Sequence, residues 1–355
     1  MSQRTRGLIP SESLPQVPGP KLVPFTPTAR AAIQFIKELG DPSSDKDGRV
    51  WEVRINRSGP HYALKMFYFT TAAFIIDQTA AGELEYELAS PQLYVDYFDA
   101  FSCECRAYGR LKEEGREDLA VPAHGYLFLT PKQEARITTK IVGCITESEL
   151  DGDLWRRSEE TRHLPIRAIV KELATDFVPF RPSDVTGMWG GLQDFHRLGI
   201  LVRDVTVFNY MGGKLVDLSR AWTWPHPALT YYDDAAVEDE RWLDSHYLRK
   251  IIIEFCWGER WDWDLDEIPE ELTDCALKRS NVDTYVADPR QYDWLKWEQN
   301  PAEADRFLAE NCFRGITVAG DIGMTGAWMG RNNLKAESEM NRWWLSFPWY
   351  IGRYV

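Results

Sequence analysis

The chain has 355 residues, 44% of them hydrophobic and 13% aromatic, which suits one large or two lobed folded domains and excludes a disordered chain. Its formal charge of -14 at pH 7 weighs against broad, sequence-independent binding to nucleic acid or anionic membrane. The N-terminus lacks the apolar core of a signal peptide and no apolar run is long enough to span a bilayer, so the expected setting is intracellular, cytoplasmic or nuclear.

Residues 1–30 carry prolines at 10, 15, 18, 20, 24 and 27, which deny the segment helical hydrogen bonds and predict a mobile tail. AAIQFIKELG then has apolar residues at helix-compatible spacing before Gly40, and DPSSDKDG reads as a loop. VWEVRIN and HYALKMFYF, separated by RSGP, predict a β-hairpin with Lys65 on its second strand. Residues 70–94 read as an irregular connection. YVDYFDAFSCECRAYGRLKEEG has helical periodicity, contains Glu104 and stops at Gly115. HGYLFLT and IRAIVKEL predict two more strands, and SDVTGMWGGLQDFHRLG a helix with Ser183 as its N-cap. Beyond Pro225 an acidic stretch, YYDDAAVEDE, leads into the helical RWLDSHYLRKIIIEFCWG and a tryptophan-dense C-terminal region. Strands dominate before about residue 175 and helices after it, an α+β pattern with a smaller sheet lobe and a larger helical lobe.

The densest chemistry lies in GILVRDVTVFNYMGGKLVDLS, where Asp204 and Asn209 stand five positions apart in an R-D-x-x-x-x-N run and Asp217 follows an apolar strand. Asn209 and Asp217, on the flanks of one short hairpin, VFNYMGGKLVD, offer the oxygen donors that hard cations prefer. A structural reading competes with this one, because aspartate and asparagine also satisfy backbone groups in turns.

With HYALK and Glu104 upstream, the ordered set resembles the protein kinase-like superfamily. ECRAYGRLKEEG, PIRAIVKEL and GKLVDLS resemble the fungal kinetochore Sim4 complex subunit Fta2 family. The resemblance covers about residues 40–227. It implies a protein-kinase-like, two-lobed fold: a 31–175 β-rich N-lobe and a helical C-lobe over 176–355. It also implies ATP and Mg2+ as cofactors and, as the expected function, transfer of phosphate to a small-molecule or protein hydroxyl. By position, Lys65 would contact the nucleotide phosphates with Glu104 as its partner, and Gly48 and Val50 would belong to the phosphate-covering loop. Asp204 would orient an acceptor hydroxyl, while Asn209 and Asp217 would hold magnesium. Val202 stands where H-R-D has histidine, Leu218 and Ser219 replace the last two residues of D-F-G, and no A-P-E follows. The Fta2 resemblance alone implies a non-catalytic interaction subunit with protein partners.

Asp233, Asp234 and Glu238 resemble the acidic motif of fungal arginine-containing cyclodipeptide synthases, which implies tRNA as a partner, met by the basic window of Arg156, Arg157, Arg162, Arg167 and Lys171. Capping of a helix start is the structural alternative for these carboxylates. The six cysteines and six histidines show no paired metal-ligand spacing, which predicts reduced, buried thiols. No G-x-x-x-x-G-K-[ST] or G-x-S-x-G is present. Trp294, Trp297, Trp328, Trp343, Trp344 and Trp349 suit core packing or a face for a protein partner.

Overall fold

The structure, a computed structural model, describes residues 14–26, 32–40, 47–56, 59–80, 88–143, 153–175, 178–257 and 287–292. Two compact units divide the chain, Met1–Arg314 and Gly315–Val355. The second unit, and with it Trp328, Trp343, Trp344 and Trp349, lies outside the described residues, as do Trp294 and Trp297.

The described part is α+β. Five strands, β1 (Ile33–Leu39), β2 (Gly48–Ile55), β3 (His61–Phe67), β4 (Ala123–Phe128) and β5 (Arg167–Glu172), form one sheet in the order β1-β2-β3-β5-β4. Every neighbouring pair in it is antiparallel. Alternation along the strands sends their side chains to two different cores. Leu64, Met66, Ala168 and Val170 pack with Trp155, Ile137 and Ile141, the last two from α4 (Pro131–Val142). Phe67 and Ile169 face the other way, onto Phe101, Tyr108 and Leu111 of α3 (Ala100–Glu113). Lys65 and Lys171 share the parity of Phe67 and Ile169, so the sheet delivers two lysines to the α3 side.

The segment expected as a helix, AAIQFIKELG, is instead β1. Buried Ile33 and Phe35 alternate with exposed Gln34, and pairing to β2 is broken by an irregularity between Phe35 and Lys37 that shifts the alternation and produces the helix-like spacing. The expected irregular connection holds two helices, α1 (Ala72–Ala80) and α2 (Pro91–Phe98). Ser90 in an extended conformation followed by Pro91 is the start signal for α2. What reads as one helix through Gly115 is broken at Asp99, whose carboxylate accepts the Phe101 and Ser102 N–H groups and starts α3.

Past β5 come α5 (Val185–Arg197), with Asp184 rather than Ser183 at its N-cap, and two small hairpin-like pairs. These are β6 (Ile200–Leu201) with β9 (Trp222–Thr223), and β7 (Tyr210–Met211) with β8 (Lys214–Leu215). Next are α6 (Pro227–Tyr231) and α7 (Asp234–Trp257). Among the described residues, no helix is long and apolar enough to cross a membrane.

Residues 14–26, expected within a mobile tail, are packed. The Leu22 N–H donates to the Cys105 carbonyl of α3 (2.9 Å), and Val23 and Phe25 exchange backbone hydrogen bonds with Tyr126 of β4 (3.0 and 2.8 Å). Val17, Leu22 and Phe25 are buried. Prolines suit such a path, because an extended strap needs few donors of its own. Two glycines let it approach: a Cβ on Gly109 of α3 would stand 2.6 Å from Lys21 backbone atoms, and one on Gly125 would stand 2.7 Å from Phe25. Replacement of Gly109 by valine should therefore lift the strap from α3 and lower stability by about 1–3 kcal/mol, the usual effect of overpacking. Chemical denaturation of the purified chain, with limited proteolysis near residue 21, measures this; an unchanged midpoint and cleavage pattern would contradict it.

Candidate functional site

The site is built around Glu104, which helix α3 places against the sheet with no solvent exposure. An isolated carboxylate there would lose its hydration without compensation. Lys65 of β3 meets it at 3.0 Å, and Lys171 of β5 pairs with its other oxygen. Lys65 also donates to Asp217 Oδ2 at 2.6 Å, just beyond β8. Lys171 donates to the Val216 carbonyl at 2.6 Å, next to Asp217 in the chain. The Ser219 N–H occupies Asp217 Oδ1 (2.8 Å). Two lysines and two carboxylates thus form one buried cluster, with the quarter-exposed Asp217 side chain as its opening to solvent.

Burial pulls the Lys65 ammonium down, but Asp217 and Glu104 more than offset this and hold it above the ordinary lysine range. Burial raises Asp217; Lys65, Lys171 and the Ser219 N–H outweigh it and leave the carboxyl well below its usual range. Glu104 goes the other way, because burial raises it more than Lys171 and Lys65 lower it. Lys171 is pulled below its ordinary value by burial, which Glu104 only partly counters. Lys65 and Asp217 are therefore a firmly charged pair. Glu104 and Lys171 sum to zero charge whether the proton rests on the amine or the carboxylate.

Helix α3 is fixed from both ends and one flank. Arg167 of β5 clamps Asp99 (2.9 and 3.0 Å). Arg106 donates to the Thr223 and Pro225 carbonyls (2.7 and 2.6 Å), and Arg110 to those of Leu198 and Trp224 (2.7 and 2.6 Å). Arg110 is also stacked on Tyr292, 3.9 Å from its ring centre, and burial brings its guanidinium down to about 10. Four donated hydrogen bonds from buried arginines make the position of Glu104 stiff, since releasing any of them strands a desolvated group.

Asp204 and Asn209 sit apart from this cluster in their bonding. The Asn209 amide donates to the Asp204 carbonyl (2.8 Å) and carboxylate (3.0 Å), closing the turn that carries Phe208. Burial raises the Asp204 carboxyl, against a partial pull downward from Arg220, whose guanidinium is 4.0 Å away. Asp204 remains a third exposed and could accept a proton from a group at the mouth. Arg220 also reaches Asp47 (3.4 Å), which accepts the Ser219 hydroxyl (2.8 Å). Gly48 starts β2, where a Cβ would lie 2.2 Å from the Met66 carbonyl, and Val50 pairs with Lys65 across the sheet. Close strand packing accounts for that glycine.

Magnesium suits Asn209 and Asp217 by donor type, and the Asn209 amide, which donates to Asp204 through its nitrogen, keeps its oxygen for such an ion. The charge balance is the opposing observation: both Asp217 oxygens are engaged, and two ammonium groups already balance the buried carboxylates. Among the described residues no group of histidine, cysteine, aspartate and glutamate is arranged to hold a metal ion. Cys103 and Cys105 are free and buried, and burial pushes both thiols up to about 12.

Asp233, Asp234 and Glu238 lie at the start of α7. Asp233 caps it by accepting the Ala236 N–H (2.8 Å), and Asp234 pairs with Arg290 (2.8 Å). The basic window is largely turned inward: Arg157 forks onto Glu134 (2.7 and 2.9 Å), Arg167 holds Asp99 and Lys171 holds Glu104. Arg156 and Arg162 are its exposed members.

The sequence reading assigns Lys171 only to the basic window and passes over Asp244, yet both shape the site. Lys171 is signalled by strand parity, since in RAIVKE it shares a face with Arg167 and Ile169. Asp244 of α7 has no local signal. Its carboxylate accepts the Val202 and Arg203 N–H groups (2.9 and 2.7 Å) and meets His196 at 2.9 Å. It thereby holds Arg203 at φ +62°, a left-handed conformation that side chains rarely adopt, and sets the direction of the chain into Asp204.

No curated protein matches the chain. The model of one family does match, over residues 10–222, a span that encloses the strap, the sheet, α3 and the whole charge cluster and ends before the acidic start of α7. Since this is more than half of its length, the chain belongs to the family of the kinetochore Sim4 complex subunit FTA2.

Proposed function

We propose that this chain is a non-catalytic subunit of a kinetochore complex of the Sim4 type, nuclear in location and working through protein partners. The family match over residues 10–222 carries this reading. The bonding of the site supports it, because the four charges of the cluster satisfy one another. In such a subunit the cluster is the polar centre of a scaffold, locking α3 to the sheet. A tagged chain in its native cells, imaged with a centromere marker, tests the proposal. Centromeric foci that persist in Asp204→Asn, which leaves the buried cluster intact, are expected; a diffuse signal in the wild type would refute it.

A second reading, a kinase-like cleft that receives a nucleotide, is favoured by one observation, the 3.0 Å contact between Lys65 and Glu104 beside Asp217. The antiparallel strand order and α3 laid against the sheet support the sheet-lobe part of the kinase-like fold that this reading assumes. ATP is the nucleotide it names, with Lys65 as the fixed charge for the phosphates. Thermal denaturation of the full chain with millimolar ATP distinguishes it. Stabilisation that disappears in Lys65→Met is its expected outcome, and equal melting temperatures with and without ATP would remove it.

A further inference from the structure

We propose that Lys171 is a built-in counter-cation for the Glu104 and Asp217 carboxylates, supplying from within the fold the positive charge that a divalent metal ion would otherwise bring. This inference deepens the nucleotide-cleft reading at the same residues, yet it fails or stands independently of whether ATP binds.

The argument is a charge count joined to a position. Glu104 and Asp217 contribute two negative charges, and Lys65 alone neutralises one of them. Lys171 neutralises the other from a place between the two carboxylates: its ammonium pairs with Glu104 and donates to the carbonyl of Val216, the residue before Asp217. Its charge is also one of the main influences holding the Asp217 carboxylate ionised. Lys171 is only 4% exposed and its ammonium lies 5.2 Å from the Tyr108 ring centre, so solvent does little to weaken these interactions. A divalent ion entering this balanced set would leave a net charge of +2 in a buried site. Removing Lys171 leaves the set at -1, and the same ion would then leave a net charge of +1 rather than +2. Burial therefore makes cation uptake depend on the residue at position 171.

The test is titration of the full-length chain with MnCl2 and MgCl2, followed by thermal denaturation and, for Mn2+, by the loss of its free-ion paramagnetic resonance signal. The wild type and Lys171→Arg should show no saturable uptake at this site. Lys171→Met should bind Mn2+ at least about tenfold more tightly than the wild type, a difference of about 1.4 kcal/mol. Adding Glu104→Gln to Lys171→Met restores neutrality and should abolish the gain, a result that mere loosening of the fold would not produce. Equal Mn2+ affinity in wild type and Lys171→Met would overturn the proposal. If Lys171→Met does not fold, the wild type decides. Wild-type Mn2+ uptake that is lost in Asp217→Asn overturns the proposal, and absence of such uptake supports it. The ATP titration with Lys65→Met judges the nucleotide reading separately.

Discussion

Burial of the Glu104 carboxylate is the constraint on which the rest of the described structure depends. A charge removed this far from water must be matched within the fold, and removing one partner of such a pair typically costs about 3–5 kcal/mol. Two strands answer it, β3 with Lys65 and β5 with Lys171. For both lysines to arrive, β3 and β5 must be neighbours and in register, which they are, with Lys65 opposite Ile169 and Lys171 two residues further along the same face. The helix must also be held at one height, which Arg167 on Asp99 and the Arg106 and Arg110 contacts to the 198–225 region achieve. The packed strap over Gly109 adds a fourth restraint.

The same constraint explains why motif spacing and observed bonding diverge. Lys65, Glu104 and Asp217 converge as their order along the chain implies. Asp204 and Asn209 are bonded to each other, with Arg220 and Asp47 at their side, and Asp244 directs the backbone into them from behind. A cluster that is balanced and stiff suits a scaffold whose partners read its outer surface. Membership of the FTA2 family places the chain among proteins named as subunits of a complex, which agrees with that use.

Much of this was legible in the sequence where the signal is local. The β2–β3 hairpin follows from alternating β-branched and aromatic residues, and α3 and α5 from their periodicity. The edge strand β1 was hidden because its pairing irregularity after Phe35 breaks the alternation that identifies a strand. The strap was hidden for a different reason: its order comes from Cys105 and Tyr126, about 80 and 100 residues away, and from two glycines whose small size matters only once it is in place. Asp244 belongs to the same class, since its partners lie about 40 residues back and nothing beside it in α7 marks it. Lys171 lies between these cases: it stands in PIRAIVKEL and in the basic window, but only strand parity points it at Glu104.

The central claim, that Glu104 and Lys171 are energetically one unit, is tested most directly by a double-mutant cycle of Glu104→Gln and Lys171→Met, measured by denaturant unfolding of the full chain. The account predicts that each single substitution is strongly destabilising while the double variant loses at least about 2 kcal/mol less than the sum of the two. Effects that add within about 0.5 kcal/mol would contradict it.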